Sequence, residues 1–241
     1  MPQIIAHRGA SRECLENTLS AFQRAIDLGA DAVELDVHLT ADHAVVVHHD
    51  PVIRGASSLP ALAGRPIASL TRAEVATFRL GEGGAAATTA LSQPGIVVPT
   101  LADVTALIGT QATLYCELKG IGTARPAIDV LRLGHTPCAV HAFDHRMIAD
   151  AASYAPEMAR GVLEVSRHVN AYTTLAAVDG RDLWQLVEFI DEPLVREVHA
   201  GGGRVIAWTA NDPVVVERLA TWGVDALCSD DVPMVRRVLG R

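Results

Sequence analysis

Two acids set two residues apart, Glu34 and Asp36, interrupt an apolar run at residues 32–39. On a strand their side chains leave the same face. Side by side in apolar surroundings they repel each other and resist burial unless positive charge compensates them. A divalent cation fits, since hard cations take carboxylate oxygens. The next apolar run, Val45-Val46-Val47, ends in His48-His49-Asp50 and so delivers imidazoles to a strand end. Two further pairs have the same character: His7-Arg8 after an apolar run at residues 3–6, and Glu117 with Lys119 two positions on. Glu34, Asp36 and Glu117 together make a hard-cation site with positions left for water or substrate. His7 and His49 can serve as general acid and general base, because an unperturbed imidazole titrates near neutral pH. Arg8 and Lys119 bring positive charge suited to a phosphoryl oxyanion. One metal, two proton shuttles and two cations suit the hydrolysis of a phosphodiester.

Groups from four separate runs meet only if the fold gathers four strand ends. Apolar runs around residues 4, 33, 46, 115, 140, 161, 206 and 226 alternate with helical spacing over much of the chain, which implies a parallel sheet. Eight such runs predict an α/β fold, a closed (β/α)8 TIM barrel with its active site at the C-terminal ends of the strands. A ninth run at 183–187 competes for a place. The link at 40–43 is too short for a helix, so the chain begins βαββ rather than strict βαβ. Residues 51–98 differ in composition, with Gly55-Ala56-Ser57-Ser58, Gly81-Glu82-Gly83-Gly84 and an alanine-rich tract at 85–90. They read as a small insertion after the third strand, with one short helix near 70–78 and a mobile glycine-rich part. The whole of 1–241 is then one domain carrying that insertion.

Composition narrows the partners. Half of the residues are hydrophobic, enough for a substantial core and against disorder. A net charge of −8 argues against non-specific nucleic-acid binding. An anionic small molecule would need locally concentrated cations, and the only lysine in the chain is Lys119. Cys14, Cys116, Cys138 and Cys228 are scattered without paired spacing and read as free thiols in a reducing compartment. No secretory leader and no run of about 18 apolar residues is visible, so the expectation is a cytoplasmic protein without stable membrane insertion. Homo-oligomerisation is left open.

The motifs His7-Arg8-Gly9, Glu16-Asn17-Thr18, Glu34-Leu35-Asp36-Val37, His49-Asp50, Pro99-Thr100-Leu101, Glu117-Leu118-Lys119, Trp208-Thr209-Ala210-Asn211 and Gly223-Val224-Asp225 stand in a defined order. In that order the chain resembles the glycerophosphodiester phosphodiesterases from residue 4 to about 233. The resemblance implies a TIM barrel with a variable insertion after the third strand. It also implies one divalent cation, Mg2+ or Ca2+, on Glu34, Asp36 and Glu117, with His7 and His49 as the catalytic pair. Arg8 and Lys119 fall on its phosphate-contacting positions, and the implied substrates are glycerophosphodiesters such as glycerophosphocholine or glycerophosphoethanolamine. The products would be glycerol 3-phosphate and an alcohol. The chain departs from the pattern at Leu15, usually proline, and at Ala102-Asp103, where the acid usually comes one residue earlier.

Ordinary readings compete with several of these. His48 and His49 are adjacent and point to opposite sides of a strand, and the family register favours His49. His38 continues the face of Glu34 and Asp36 in a supporting position. His43, His135, His141, His145, His168 and His199 read as surface or core histidines. Trp208 is either barrel packing or a substrate-binding wall for the glycerol. Two rival functions remain: a lysophospholipase D or sphingomyelinase D-like phosphodiesterase, and a non-catalytic barrel that binds glycerophosphodiesters. The first usually carries a leader and disulfides, neither visible here, and the second would tolerate losing a catalytic group, of which none is missing.

Overall fold

The computed structural model describes residues 1–81 and 95–241. Its strands are β1 (Gln3–Ala6), β2 (Ala32–Leu39), β3 (Val45–Val47), β4 (Gly55–Ser57), β5 (Phe78–Leu80), β6 (Thr113–Leu118), β7 (Cys138–Ala142), β8 (Ala159–Glu164), β9 (Asp182–Leu186), β10 (Arg204–Trp208) and β11 (Ala226–Ser229). Eight of these form a closed parallel barrel, β1-β2-β6-β7-β8-β9-β10-β11, sealed because β1 pairs with both β2 and β11. The α-helices are α1 (Leu19–Asp27), α2 (Arg72–Val75), α3 (Leu101–Ile108), α4 (Ala124–Leu133), α5 (His145–Tyr154), α6 (Ala171–Ala176), α7 (Glu192–Ala200), α8 (Pro213–Trp222) and α9 (Val232–Val238). No helix among the described residues is long and apolar enough to cross a membrane.

The (β/α)8 barrel is as the sequence implies, but one of its expected strands is not in the ring. The run at residue 46 is β3, which lies antiparallel on β2 through Val37–Val47 and Leu39–Val45 pairs. The competing run near 183 is β9 and takes the eighth place, parallel to β8 and β10. The reason is connection length. A parallel neighbour needs a crossover of a dozen or more residues, whereas a short turn can only return the chain as a hairpin. Thr40 closes that turn by accepting the Ala44 amide on its hydroxyl at 2.9 Å.

Alternation along each barrel strand divides the apolar residues between two layers. Val33, Leu35 and Val37 face the helices, with Phe22, Leu101 and Ile128 in the same buried cluster. Ile5, Ala32, Tyr115, Trp184, Ile206 and Cys228 fill the barrel interior. Helix starts on the mouth side, except that of α4, are capped by side chains of the preceding loops. Thr18, Thr100, Asp144, Asn170, Asp191, Asp212 and Asp231 each accept a backbone N–H of the first turn. Asp103, the displaced acid, closes a capping box with Thr100.

The insertion packs on the barrel as a satellite, with Ile53, Leu62, Ile67, Leu70, Val75 and Phe78 buried against Val46. The helix expected near 70–78 is shorter. It is the four-residue α2, followed by β5, which pairs with β4. Most of the glycine-rich part and the alanine-rich tract lie outside the described residues. All four cysteines are free.

Candidate functional site

The C-terminal end of the barrel opens on a cavity of about 190 Å³ lined by His7, Arg8, Glu34, His49, Glu117, Lys119, His141, Phe143 and Trp208, among others. A larger depression of about 680 Å³ at the opposite end carries Arg181, Arg204 and Arg241. Each of those arginines is paired with Asp182 or Asp31, so that end is a charge-balanced barrel floor. The chemistry therefore gathers in the smaller cavity.

His7 and Arg8 leave β1 where the chain turns sharply. Arg8 adopts the left-handed conformation at φ 56°, uncommon for a residue with a Cβ. Its amide donates to Glu34 Oε2 at 3.1 Å, so the turn is anchored to the acid beside it. Gly9 follows at φ 82°, and a Cβ there would sit 2.7 Å from the Ala21 backbone. Only glycine fits that close approach. The Glu16-Asn17-Thr18 motif completes the corner. Glu16 pairs with Arg8 at 3.1 Å, Asn17 donates Nδ2 to Asp36 Oδ2 at 2.8 Å, and Thr18 caps α1.

Asp36 is fully buried and acts as the hub for the two cations. Lys119 Nζ lies 3.1 Å from its Oδ1 and Arg8 Nε 3.2 Å from its Oδ2. Burial works against its charge, but Lys119, Arg8 and Asn17 outweigh burial and hold its carboxyl at about 2. Lys119 also reaches Glu117 Oε1 at 2.5 Å. Burial opposes the Lys119 charge, yet Asp36 and Glu117 raise its ammonium above the usual value.

Glu34 and Glu117 are in the opposite condition. Burial, then the charges of Asp36 and Glu117, push Glu34 well above the usual carboxylate range. Burial and Asp36 push Glu117 up to about 7 despite Lys119. One ligand atom each of Glu34, Glu117 and His141 lie within 4.8 Å of one another. Two acids that the protein's own cations leave under-compensated, with a buried imidazole beside them, form a donor set suited to a divalent cation. Asp36, expected to share a metal with Glu34 and Glu117, turns Oδ2 to Asn17 and Arg8, while its Oδ1 lies 3.1 Å from Lys119 Nζ and has no hydrogen-bond partner among the described residues.

Both candidate proton-transfer histidines are held at Nδ1 by an aspartate. His7 Nδ1 stands 2.6 Å from Asp230 Oδ1, just beyond β11. His49 Nδ1 stands 2.9 Å from Asp50 Oδ1, and Asp50 is paired with Arg54. His38 Nε2 donates to the His49 carbonyl at 3.0 Å, the supporting position its spacing suggested. His48 does not line the cavity, and burial lowers its imidazole to about 4.

Trp208 lines the cavity and meets Phe143 edge to face, with ring centroids 5.5 Å apart. Phe143 in turn lies under Lys119 Nζ at 5.9 Å. Asp230, Asn211 and His141 were not singled out individually as site residues by sequence reasoning. Asn211 stands in the Trp208-Thr209-Ala210-Asn211 motif, and Asp230 follows the last strand. His141 is signalled by register alone, since Asp36 pairs with Glu117 across β2 and β6, and Glu117 with His141 across β6 and β7.

Residues 7–234 match the glycerophosphoryl diester phosphodiesterase family. A glycerophosphodiester phosphodiesterase of Caldanaerobacter subterraneus is 29% identical over 237 residues, spanning 95% of this chain and 93% of that protein. A solved phosphodiesterase of Oleispira antarctica, in complex with its product sn-glycerol-3-phosphate, is 26% identical with a TM-score of 0.87, covering all of this chain and 98% of that one. A shorter match, 49% identical over 55 residues, is to the human lysophospholipase D GDPD1, covering 23% of this chain and 18% of that protein.

Proposed function

The chain belongs to the glycerophosphoryl diester phosphodiesterase family, and on that premise we propose that it hydrolyses glycerophosphodiesters, such as glycerophosphocholine or glycerophosphoethanolamine, to glycerol 3-phosphate and an alcohol. The observation that carries this reading is the convergence of His7, His49, Arg8, Lys119, Glu34 and Glu117 on one cavity. A divalent cation, Mg2+ or Ca2+ in the reading from resemblance, would be held by Glu34, Asp36 and Glu117. When bound, such an ion neutralises charge on phosphoryl oxygens as a Lewis acid.

The remaining work falls to the chain's own residues. Arg8 and Lys119 are held at the cavity by Asp36, and an arriving phosphodiester anion offers them a second acceptor. The carboxylates of Asp230 and Asp50 leave Nε2 of His7 and His49 as the nitrogens free for substrate. One histidine takes a proton from the attacking oxygen, and the other gives a proton to the leaving alkoxide. Trp208 forms an apolar wall for the glycerol.

A second reading is favoured by one observation. The loops after β6, β7, β8 and β9, consecutive in the barrel, expose Ile121, Phe143, Val165, Val169 and Phe189. Such a rim offers a single acyl chain somewhere to lie, as a lysophospholipid would require.

The test is incubation with glycerophosphocholine, glycerophosphoethanolamine and lysophosphatidylcholine, each with Mg2+, Ca2+ or EDTA, and identification of the phosphorus-containing product by 31P NMR. Metal-dependent release of glycerol 3-phosphate supports the first reading. Cleavage of the lysolipid alone supports the second. Binding without turnover of any of them would leave a non-catalytic barrel.

A further inference from the structure

The loop after β8, residues 165–170, is turned inside out. Arg167 and His168 are half-buried, whereas Val165 is exposed and Val169 fully so. His168 Nε2 meets Glu164 Oε2 at 2.7 Å, and that carboxylate is itself buried at the end of β8. Arg167 turns back toward Asp191 at 3.5 Å and Glu197 at 3.8 Å. Gln185 of β9 donates Nε2 to the Ser166 carbonyl at 3.1 Å, and Asn170 caps α6. The polar side chains thus fasten the loop, and the apolar ones face water. A surface loop ordinarily does the reverse, because polar groups are hydrated outside and must be paired inside.

Neighbouring loops add to it. Ile121 after β6, Phe143 after β7 and Phe189 after β9 are exposed, and β6-β7-β8-β9 are consecutive in the barrel. The result is one arc of apolar tips along half of the barrel mouth. Phe143 belongs both to the arc and to the cavity wall, so the apolar surface runs into the candidate site. The arginines bordering the arc are already paired. Arg146 meets Asp144 at 2.7 Å, as Arg167 meets Asp191 and Glu197. An anionic surface would find little there to attract it.

We propose that this arc is the docking surface for a zwitterionic phospholipid layer, on which the protein adsorbs reversibly. The inference rests on the phosphodiester reading of the cavity and goes beyond it by naming the surface that the mouth faces. Apolar tips on four separate loops suit a soft layer that meets all of them at once, each contributing as it leaves water. A headgroup layer without net charge matches an arc whose arginines are spent on acids. Contact is limited to loop tips, since no described helix is long and apolar enough to cross the layer.

The probe is a suspension of phosphatidylcholine vesicles, with bound protein measured by co-sedimentation in EDTA so that no turnover is needed. Wild type should sediment with the vesicles, and the double variant Val165→Asp with Val169→Asp should bind at least about tenfold more weakly. Both side chains are exposed, so its unfolding midpoint should match that of wild type. Ile121→Asp, on a separate loop, should weaken binding in the same direction. Leu133→Asp, equally exposed but at the end of α4 away from the mouth, should bind as wild type does. Admixed phosphatidylglycerol should not strengthen binding. Wild type that stays in the supernatant, or variants that bind undiminished, would overturn the proposal. So would binding that glycerol 3-phosphate competes away, which would put the contact inside the cavity. Self-association of wild type that the double variant loses, without vesicle binding, would assign the arc to a second copy instead. Failure of the phosphodiesterase reading shows separately, as absent release of glycerol 3-phosphate from glycerophosphocholine.

Discussion

Asp230 Oδ1 lies 2.6 Å from His7 Nδ1, and the other side-chain contacts of this carboxylate are with donors as well. Ser11 donates its hydroxyl to Oδ1 at 3.1 Å, and Asn211 donates Nδ2 to Oδ2 at 2.6 Å. Asn211 cannot flip, because its Oδ1 already accepts the Ser229 hydroxyl and the Asp230 amide. Burial opposes the Asp230 charge, but His7, Asn211 and Ser11 hold the carboxyl below the usual range. An ionised carboxylate only accepts, so His7 carries its hydrogen on Nδ1 and presents Nε2 to the cavity. That accounts chemically for Asn211 in the Trp208-Thr209-Ala210-Asn211 motif.

Asp230→Asn should disturb that arrangement with little change in volume. The new amide places an N–H against a donor, and the Nδ1–H tautomer of His7 loses its anchor. We expect kcat to fall on the order of 100-fold with KM little changed, the scale of one acid–base contribution. Steady-state kinetics check this, and an unchanged kcat would remove His7 from proton transfer or Asp230 from positioning it.

Lys119 neutralises the fully buried Asp36 and leans on Glu117. Removing one member of a buried pair leaves an uncompensated charge. Lys119→Met is therefore expected to lower stability by about 3 kcal/mol, the lower end for such losses because Arg8 remains. Adding Asp36→Asn should recover part of that loss. Urea unfolding of the single and double variants measures both, and additive losses would contradict the coupling.

Addition of a divalent cation should stabilise the protein more at high pH than at low pH. Glu117 titrates near 7 in the folded chain, above the ordinary value of about 4.3, and Glu34 is shifted in the same direction. Their raised values contribute stability below about pH 4.3, which is lost as pH rises through 7. Asp36 runs the other way, contributing above about pH 3.9 and losing its contribution as pH falls toward 2. His141 and His48, lowered to about 3 and 4, likewise contribute above about pH 6.5 and lose it on acidification. Bound metal supplies the charge that ionised Glu34 and Glu117 lack. The gain in Tm on adding Mn2+ should thus be several degrees larger at pH 7.5 than at pH 5. Equal gains at both values would contradict the assignment of these acids to the cation.

Phe143 links the apolar rim to the cavity, 45% exposed and packed on Trp208. Phe143→Ala should reduce kcat/KM for lysophosphatidylcholine by about tenfold if an acyl chain lies on the rim, with a much smaller effect on glycerophosphocholine. Equal effects on both substrates would place Phe143 at the phosphate end instead.

Much of this was legible in the sequence, for physical reasons that differ by element. The barrel could be read because helical spacing and strand runs alternate over most of the chain. Membership of Val45–Val47 in the ring could not be read from its composition, since a three-valine hairpin strand and a barrel strand bury similar surface. The four-residue link before it already carried the answer, because no parallel crossover fits there. Glu34, Glu117, His7, Arg8, His49 and Lys119 do meet at one mouth. The partition of the acids was not legible: that Asp36 meets both cations while Glu117 meets only Lys119 depends on the Asn17 and Arg8 contacts made by a left-handed turn. His141 was passed over because a single histidine in an apolar strand is usually core, and only interstrand register places it beside Glu117.

The central claim is that two histidines transfer protons on a phosphodiester held at a separate cation site. The most direct measurement is glycerol 3-phosphate release from glycerophosphocholine by wild type, His7→Ala and His49→Ala, alongside Mn2+ binding by the same three proteins. Turnover in wild type that is abolished by EDTA, and reduced by 100-fold or more in both variants with Mn2+ affinity preserved, is the expected result. Variants that retain wild-type turnover, or lose activity only in step with lost metal binding, would contradict it.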